Sequence, residues 1–271
     1  MRLIKKIIIK GMISIARVLG FDLSRSSSEE SINNFLNNIR PKELGIELVR
    51  IGSDNDGGYL VPDDLVGVKY CFSPGVSDNS SFELHLSGLG IKCFLADYSV
   101  DEPEASKNEP NLDFDKLYVS SVNRANSISL EYWYNSKVAD DDGEHILQMD
   151  IEGDEYSTLL AMPRKIQNNC RIMVIEFHQL WLLRNRFANR IMTDVIEKLL
   201  ETHYVAHAHP NNCCGYFYYG RQYAPNVIEL TFIRKDRVHE SGDKRVLLEQ
   251  LDQDNVINKQ SIGFPSCWRA Q

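Results

Sequence analysis

Six side chains in this sequence have the type and spacing to do chemistry: Asp150, Glu152, Glu176, His178, His207 and His209. Each stands at or just past an apolar run. Ile146-Leu147-Gln148-Met149 stops at Asp150, and an acidic turn, Ile151-Glu152-Gly153-Asp154-Glu155, leads into a helix-like segment. In a parallel α/β sheet, ligands bind just past the carboxyl ends of strands, so such stops are candidate site positions. Two carboxylates at one strand end can hold a divalent cation or take a proton. Glu176 and His178 lie two apart in Val174-Ile175-Glu176-Phe177-His178 and share one side of a strand. His207 and His209 repeat that spacing and could supply half of a metal site. A cation, if held, is expected on Asp150, His178 and His209.

Each feature also has an ordinary explanation. Acids near a helix start favour its dipole, which accounts for Asp154 and Glu155 better than for Asp150. A lone histidine is more often structural, and His-x-His can be a satisfied polar loop. Glu176, His178 and Glu229 interrupt apolar strands, however, and burying such groups is costly unless they are paired.

Two earlier strand ends complete the set. Cys71-Phe72-Ser73-Pro74-Gly75-Val76-Ser77-Asp78 opens the first helix, and Gly75 lets a ligand approach the backbone closely. Hydroxyls and helix-starting amides there can bond a carboxylate or a ribose. With one glycine, the loop is not a G-x-G-x-x-G fingerprint. Cys93-Phe94-Leu95-Ala96 ends at Asp97, whose carboxylate can accept two ribose hydroxyl bonds, as could Asp101.

The elements that must position these residues are legible as an alternation. Ile46–Ile51 and Tyr59–Pro62 read as a hairpin around Gly52-Ser53-Asp54-Asn55-Asp56-Gly57-Gly58. Strands are expected at Val68–Phe72, Ile91–Ala96, Lys116–Val122, Ile146–Met149, Arg171–Phe177, Tyr204–Ala208 and Val227–Ile233. Helices are expected at Ser31–Ile39, Ser80–Leu89, Glu155–Ala161 and around Ile191–Leu200, with a helical turn at Ile128–Tyr134. Alternating strands and helices imply an α/β doubly wound, mostly parallel sheet, carrying an amino-terminal helix and hairpin. The expected organisation is 1–45 as a basic helix and linker, 46–236 as the main domain, and 237–271 as an extension wrapping the surface.

Composition narrows the function. The chain has 271 residues, 43% of them hydrophobic and 25% charged, enough for a full core. A net charge of −8 argues against nucleic-acid binding, which needs a basic footprint. The six cysteines form no C-x-x-C pair, and Cys213-Cys214 is vicinal, which suits a reduced, cytoplasmic protein. Arg2, Lys5, Lys6, Lys10 and Arg17 alternate with apolar residues over 1–22, too interrupted to span a bilayer. Such a helix either packs on the domain, or on a partner chain in a homo-oligomer, or lies on the inner face of a membrane.

As a set, several segments resemble the FkbM-like S-adenosylmethionine-dependent methyltransferases. They are Asn55-Asp56-Gly57-Gly58-Tyr59, Gly75-Val76-Ser77-Asp78 through Ser81-Phe82-Glu83, Met149-Asp150-Ile151-Glu152-Gly153, Ile175-Glu176-Phe177-His178, His207-Ala208-His209-Pro210-Asn211-Asn212 and Glu229-Leu230-Thr231-Phe232. The resemblance implies a class I methyltransferase (Rossmann-like) fold and O-methylation of sugars or natural products. It implies that Ser73, Gly75, Val76, Ser77 and Ser81 hold the methionine part of the donor, that Asp97 beside Tyr98 holds its ribose, and that Ser121 and Val122 lie near its adenine. Asp150 would line the same site.

A sugar hydroxyl needs a base, a metal, or both to attack a methyl group. His178 or His209 is expected to take the proton, with Asp150 orienting the imidazole or holding a cation. Glu152, Asn211, Asn212 and Tyr216 are expected acceptor contacts, and Arg184, Arg186, Arg190 and Arg221 could grip a nucleotide-sugar diphosphate. The expected setting is polysaccharide or glycoconjugate biosynthesis. Two other classes compete: a nicotinamide-dependent sugar oxidoreductase or epimerase, which should show three loop glycines and a Tyr-x-x-x-Lys pair found nowhere suitable here, and a non-catalytic binding module that keeps the fold.

Overall fold

A computed structural model describes residues 10–16, 18–20, 24–138, 143–243 and 251–268. In chain order its strands are β1 (Lys42–Glu43), β2 (Leu48–Gly52), β3 (Gly58–Pro62), β4 (Val68–Pro74), β5 (Lys92–Ala96), β6 (Leu112–Asp115), β7 (Tyr118–Ser120), β8 (Ser127–Ser129), β9 (Glu144–Met149), β10 (Cys170–Phe177), β11 (His203–Pro210), β12 (Tyr216–Tyr219), β13 (Gln222–Pro225), β14 (Ile228–Arg234) and β15 (Gly242–Asp243). Seven of them form one sheet in the order β11-β14-β10-β9-β4-β5-β6. β10, β9, β4, β5 and β6 run parallel, whereas β14 is antiparallel to both β10 and β11. The chain thus has an α/β fold around a large, mostly parallel central sheet.

The strand order decides where a ligand can enter. From β4 the chain steps outward through β5 to β6, then crosses back to β9 on the other side of β4. Loops leaving β4 and β9 therefore diverge, and a crevice opens between them at the carboxyl ends.

Both faces are covered because alternate strand residues are apolar on each side. One face packs Met173, Ile175 and Phe177 of β10 against the helices Glu29–Asn38, Leu130–Val138, Glu155–Ala161 and Arg186–Leu200. The other packs Ile172 and Val174 with Phe82 and Leu86 of the helix Ser81–Gly88 and with Ile51, Tyr59 and Val61 of the antiparallel β2–β3 hairpin. Towards the carboxyl ends this second face turns polar, with Ser73, Gln148, Glu176, Glu229 and His209 all buried.

The third strand of the sheet is Leu112–Asp115, not the expected Lys116–Val122. Its acids are neutralised from the next helix: Lys137 pairs with Asp113 at 3.0 Å and Asp115 at 2.8 Å, and the Trp133 indole donates to Asp115. Tyr118–Ser120 instead pairs with Ser127–Ser129 outside the sheet.

The flanking segments fold onto the domain. Ser28 caps the helix Glu29–Asn38, which buries Ile32, Phe35 and Leu36 in the main core. Trp268 joins them, its indole donating to the Leu36 carbonyl at 2.8 Å. β1 pairs with β15. Of the expected amino-terminal helix, positions 10–16 are helical and 1–9 lie outside the described residues. Among the described residues no helix is long and apolar enough to cross a membrane. The six cysteines are free thiols.

Candidate functional site

A crevice of about 590 Å³ lies at the strand-order reversal. Gly75, Asp97 and Asp150, each just past or ending a strand, form one side of it, and Val119, Ser120, Arg124 and Ser127 form part of the other. Its volume falls in the range of small-molecule sites, which runs from about 300 to 1,000 Å³. Gly75 is required there by geometry. Its φ is +88°, and a Cβ would fall 1.5 Å from the Asp150 carbonyl oxygen. The backbones after β4 and β9 can approach this closely only without a side chain.

Three non-glycine residues among those described have left-handed backbone: Ser77, Glu152 and Gln179. All three sit in loops at carboxyl strand ends, and Glu152 and Gln179 line the crevice. Such conformations cost roughly 1–3 kcal/mol each and persist where the surroundings impose them, as at functional sites.

Beside the crevice, His178 is held in one orientation. Its Nδ1 lies 3.0 Å from Oε1 of the fully buried Glu155. The same Glu155 oxygen accepts the Ile151 and Gly153 amides, so one carboxylate ties the acidic turn to the imidazole. The Tyr156 hydroxyl donates to the His178 carbonyl. With Nδ1 engaged by a carboxylate it carries the proton, and Nε2 faces outward as an acceptor. Nε2 lies 3.7 Å from Asp150 Oδ1, 3.5 Å from Glu152 Oε2 and 3.6 Å from Glu176 Oε1.

Electrostatics at this point are dominated by buried acids. Burial pushes the Asp150 carboxyl up to about 7, with His178 opposing and Glu152, Glu155 and Asp56 adding to the rise. Burial raises Glu176 well above the usual carboxylate range, reinforced by Asp150 and Glu229. Burial also pulls the His178 imidazole down, but the Glu155 hydrogen bond and the charges of Glu155, Asp150 and Glu152 outweigh it and leave the pKa raised. Asp150, Glu176 and His178 each offer a ligand atom, all within 4.8 Å of one another. Asp150 Oδ1 is buried without a hydrogen-bond partner.

His209 is not part of this group. β14 inserts between β10 and β11, so Glu229 pairs with Glu176 on one side and with His209 on the other. His209 Nδ1 lies 3.2 Å from Asp252 of the carboxyl-terminal segment, and His207 lies 3.0 Å from the same oxygen. The residues whose ligand atoms can meet on one ion are thus Asp150, His178 and Glu176, with Glu176 standing where His209 is expected from the sequence.

Other expected site residues divide between lining and support. Asp97 lines the crevice, and its oxygens accept the Ser77 and Ser99 amides and the Ser99 hydroxyl, with lone pairs left for a ligand. Val76 and Ser77 line a smaller cavity of about 110 Å³ that shares Gly75 and Asp150 with the crevice. Ser73 is buried behind the loop, bonded to Glu83 and Gln148. Ser81 ties down the hairpin turn, donating to the Gly57 carbonyl and accepting the Ser53 amide. Tyr98 does not line the crevice itself but packs on Tyr118, which does. Ser121 and Val122 do not line it; Val119 and Ser120 take that wall.

The expected acceptor contacts are mostly structural. Asn211 donates to Glu176 Oε1 at 2.8 Å and positions that carboxylate. Asn212 bonds Val256 and Lys259, and the Tyr216 hydroxyl accepts the Gly263 amide, so both anchor the carboxyl-terminal segment. Glu152 remains at the rim, its side chain 85% exposed. Arg186 and Arg190 line a separate surface depression, and Arg124 is the arginine that faces the crevice.

Glu155, which the sequence offers only as an acid at a helix start, is the residue that orients the His178 imidazole. Its signal was present: it lies five residues past Asp150, where the first helical turn faces back towards the strand ends. No family model matches the chain, and no curated protein matches it.

Proposed function

We propose that this protein is an S-adenosylmethionine-dependent O-methyltransferase of the class I fold, acting on a hydroxyl of a carbohydrate or similar hydroxyl-rich acceptor. The observation that carries the reading is the crevice at the strand-order reversal, where Gly75, Asp97 and Asp150 meet beside an imidazole fixed by Glu155. The fold assignment is supported by the order β11-β14-β10-β9-β4-β5-β6, with the last strand reversed and inserted between the fifth and sixth. That is the strand arrangement of class I methyltransferases, and it agrees with the resemblance to the FkbM-like enzymes.

In this reading Gly75 and its loop take the methionine end of the donor. Asp97 takes the ribose, and Val119 and Ser120 flank the adenine. The donor supplies a methyl group on a sulfonium, whose departure leaves a neutral thioether. His178 Nε2 accepts the acceptor hydroxyl's proton while that oxygen attacks the methyl carbon. Glu155 keeps the imidazole in the required tautomer and stabilises the imidazolium that results. The acids lining the crevice, Asp97, Asp150, Glu152 and Asp154, favour a neutral, hydroxyl-bearing acceptor over a phosphorylated one.

A second reading is favoured by Asp150 Oδ1, which is buried without a hydrogen bond. A divalent cation held by Asp150, Glu176 and His178 Nε2 would acidify the acceptor hydroxyl by coordination. Glu155 would then be the carboxylate behind a metal-binding histidine, a recurring arrangement.

The test is S-adenosylhomocysteine formation across a panel of free and nucleotide-linked sugars, run with and without a chelator. Turnover that survives chelation supports His178 as base, and loss restored by added divalent metal supports the cation. No donor consumption with any carbohydrate, alongside no donor binding, contradicts the methyltransferase reading.

A further inference from the structure

A second feature lies away from the crevice. The segment Ser24–Ser27 zips along residues 184–186: Asn185 donates to the Ser24 hydroxyl at 2.7 Å, the Ser27 amide to the Arg184 carbonyl, and the Arg186 amide to the Arg25 carbonyl. This join gathers Arg25, Arg184, Arg186 and Arg190 at one corner, all exposed. None forms an ion pair among the described residues, although the chain as a whole carries a net charge of −8. In sequence, the acids flanking these arginines are Asp22 and Glu29 on one segment and Asp194 on the other.

Two aromatic side chains stand in the same corner. Phe187 is 75% exposed, and Trp181 is 43% exposed, against full burial of Trp133 and Trp268. A shallow depression of about 260 Å³ runs between Ser24, Arg25, Asn185, Arg186, Phe187 and Arg190. Unpaired arginines alone would suit any anion, but a soluble anion has no use for Phe187 standing in water. A bilayer interface uses both, taking aromatic rings into the acyl boundary while cations meet the headgroups.

The chain leading into this corner has the same character. Positions 10–16 are helical, and Met12, Ile15, Val18 and Leu19 are exposed. Arg2, Lys5, Lys6, Lys10, Arg17 and Arg25 are set against Asp22 alone in that stretch. Val18, the last helical residue, and Ser24 are six positions apart, so the exposed apolar helix ends within about 22 Å of the arginine corner.

We infer that this corner, Arg25, Arg184, Arg186 and Arg190 with Trp181 and Phe187, docks the protein on an anionic lipid bilayer. Docking there holds the crevice beside the membrane, since Trp181 follows the crevice residue Gln179 by two positions. The inference does not depend on which reaction the crevice performs.

The test uses the full chain and vesicles of phosphatidylcholine, with or without phosphatidylglycerol. Expected is co-sedimentation with the anionic vesicles only, weakened by salt, with a blue shift of tryptophan fluorescence that Trp181→Phe removes. Arg186→Ala combined with Arg190→Ala should lower partitioning roughly 30-fold, at about a fivefold loss per arginine. Circular dichroism and denaturant unfolding check that the variant is folded. Equal binding to neutral vesicles, no binding to either, or unchanged partitioning of the double variant overturns the inference. Unchanged partitioning would assign the lipid contact to the amino-terminal segment alone, and no binding to either vesicle would leave the corner to a protein partner.

Discussion

The two ends of the central sheet solve the problem of buried charge in opposite ways. At the amino end, Arg171 reaches Asp64 at 3.3 Å and also pairs with Glu144, Arg234 pairs with Glu144 and Asp236, and Arg237 pairs with Asp64. Acids and guanidinium groups alternate, and Arg171 also donates to the Asp64 and Val66 carbonyls. At the carboxyl end, Asp150, Glu176 and Glu229 gather with Glu155 of the following helix, and among the described residues no lysine or arginine is ion-paired with any of them. Histidines stand where arginines would. A closed network holds strands in register, whereas an acid-rich, imidazole-bearing end keeps protons movable near neutral pH and leaves room for a cation.

The largest expected effect lies at the carboxyl end. His178→Ala should lower kcat about 10²- to 10⁴-fold, the usual worth of a positioned general base, while calorimetry shows donor binding intact. Near-normal turnover would remove His178 from the chemistry. Next comes the amino end. Arg171→Ala strips the Asp64 and Val66 carbonyls of their buried donor, while Glu144 keeps Arg234 and Asp64 keeps Arg237, so denaturant unfolding should show a loss of about 2–4 kcal/mol, at roughly 1–3 kcal/mol per orphaned acceptor. Turnover per folded molecule should stay unchanged, and a specific loss of activity would blur the division between the ends.

A smaller effect separates them by pH. The folded Asp150 pKa of about 7 stands above its ordinary 3.8, so folding takes up a proton, and stability falls as pH rises between those values. Asp150→Asn cannot ionise and should be more stable than the wild type at pH 8, by on the order of 1–3 kcal/mol. His203 behaves in the opposite sense. Burial lowers its pKa from 6.5 to about 4, so the stability it lends is present above 6.5 and is lost as pH falls towards 4. His203→Gln should therefore flatten the acid limb of the stability curve, and an unchanged limb would contradict the burial argument.

The sequence exposed the carboxyl end better than it exposed its neighbours. Asp97, Asp150 and His178 were readable because apolar runs stop abruptly at them, and strand ends in such sheets converge. His209 misled for a topological reason: β14 is later in sequence yet enters between β10 and β11, a placement periodicity does not encode. Asn212 and Tyr216 misled because their partners, Val256 and Gly263, lie in a segment with little periodicity of its own. The third strand was displaced because Leu112-Asp113-Phe114-Asp115 looks less apolar than the stretch after it, until Lys137 and Trp133 supply partners for its acids. Glu155 is legible as an acid in a first helical turn, which it is, but not as the group that orients an imidazole on a neighbouring strand.

Calorimetric titration of S-adenosylmethionine into the intact protein tests the central claim most directly. The account predicts a single saturable site that survives His178→Ala and is lost in Gly75→Val, whose added side chain must enter the space of the Asp150 carbonyl; a folded Asp97→Ala should weaken it in parallel. No heat with the wild type, or binding that ignores both the Gly75 and Asp97 substitutions, would contradict it.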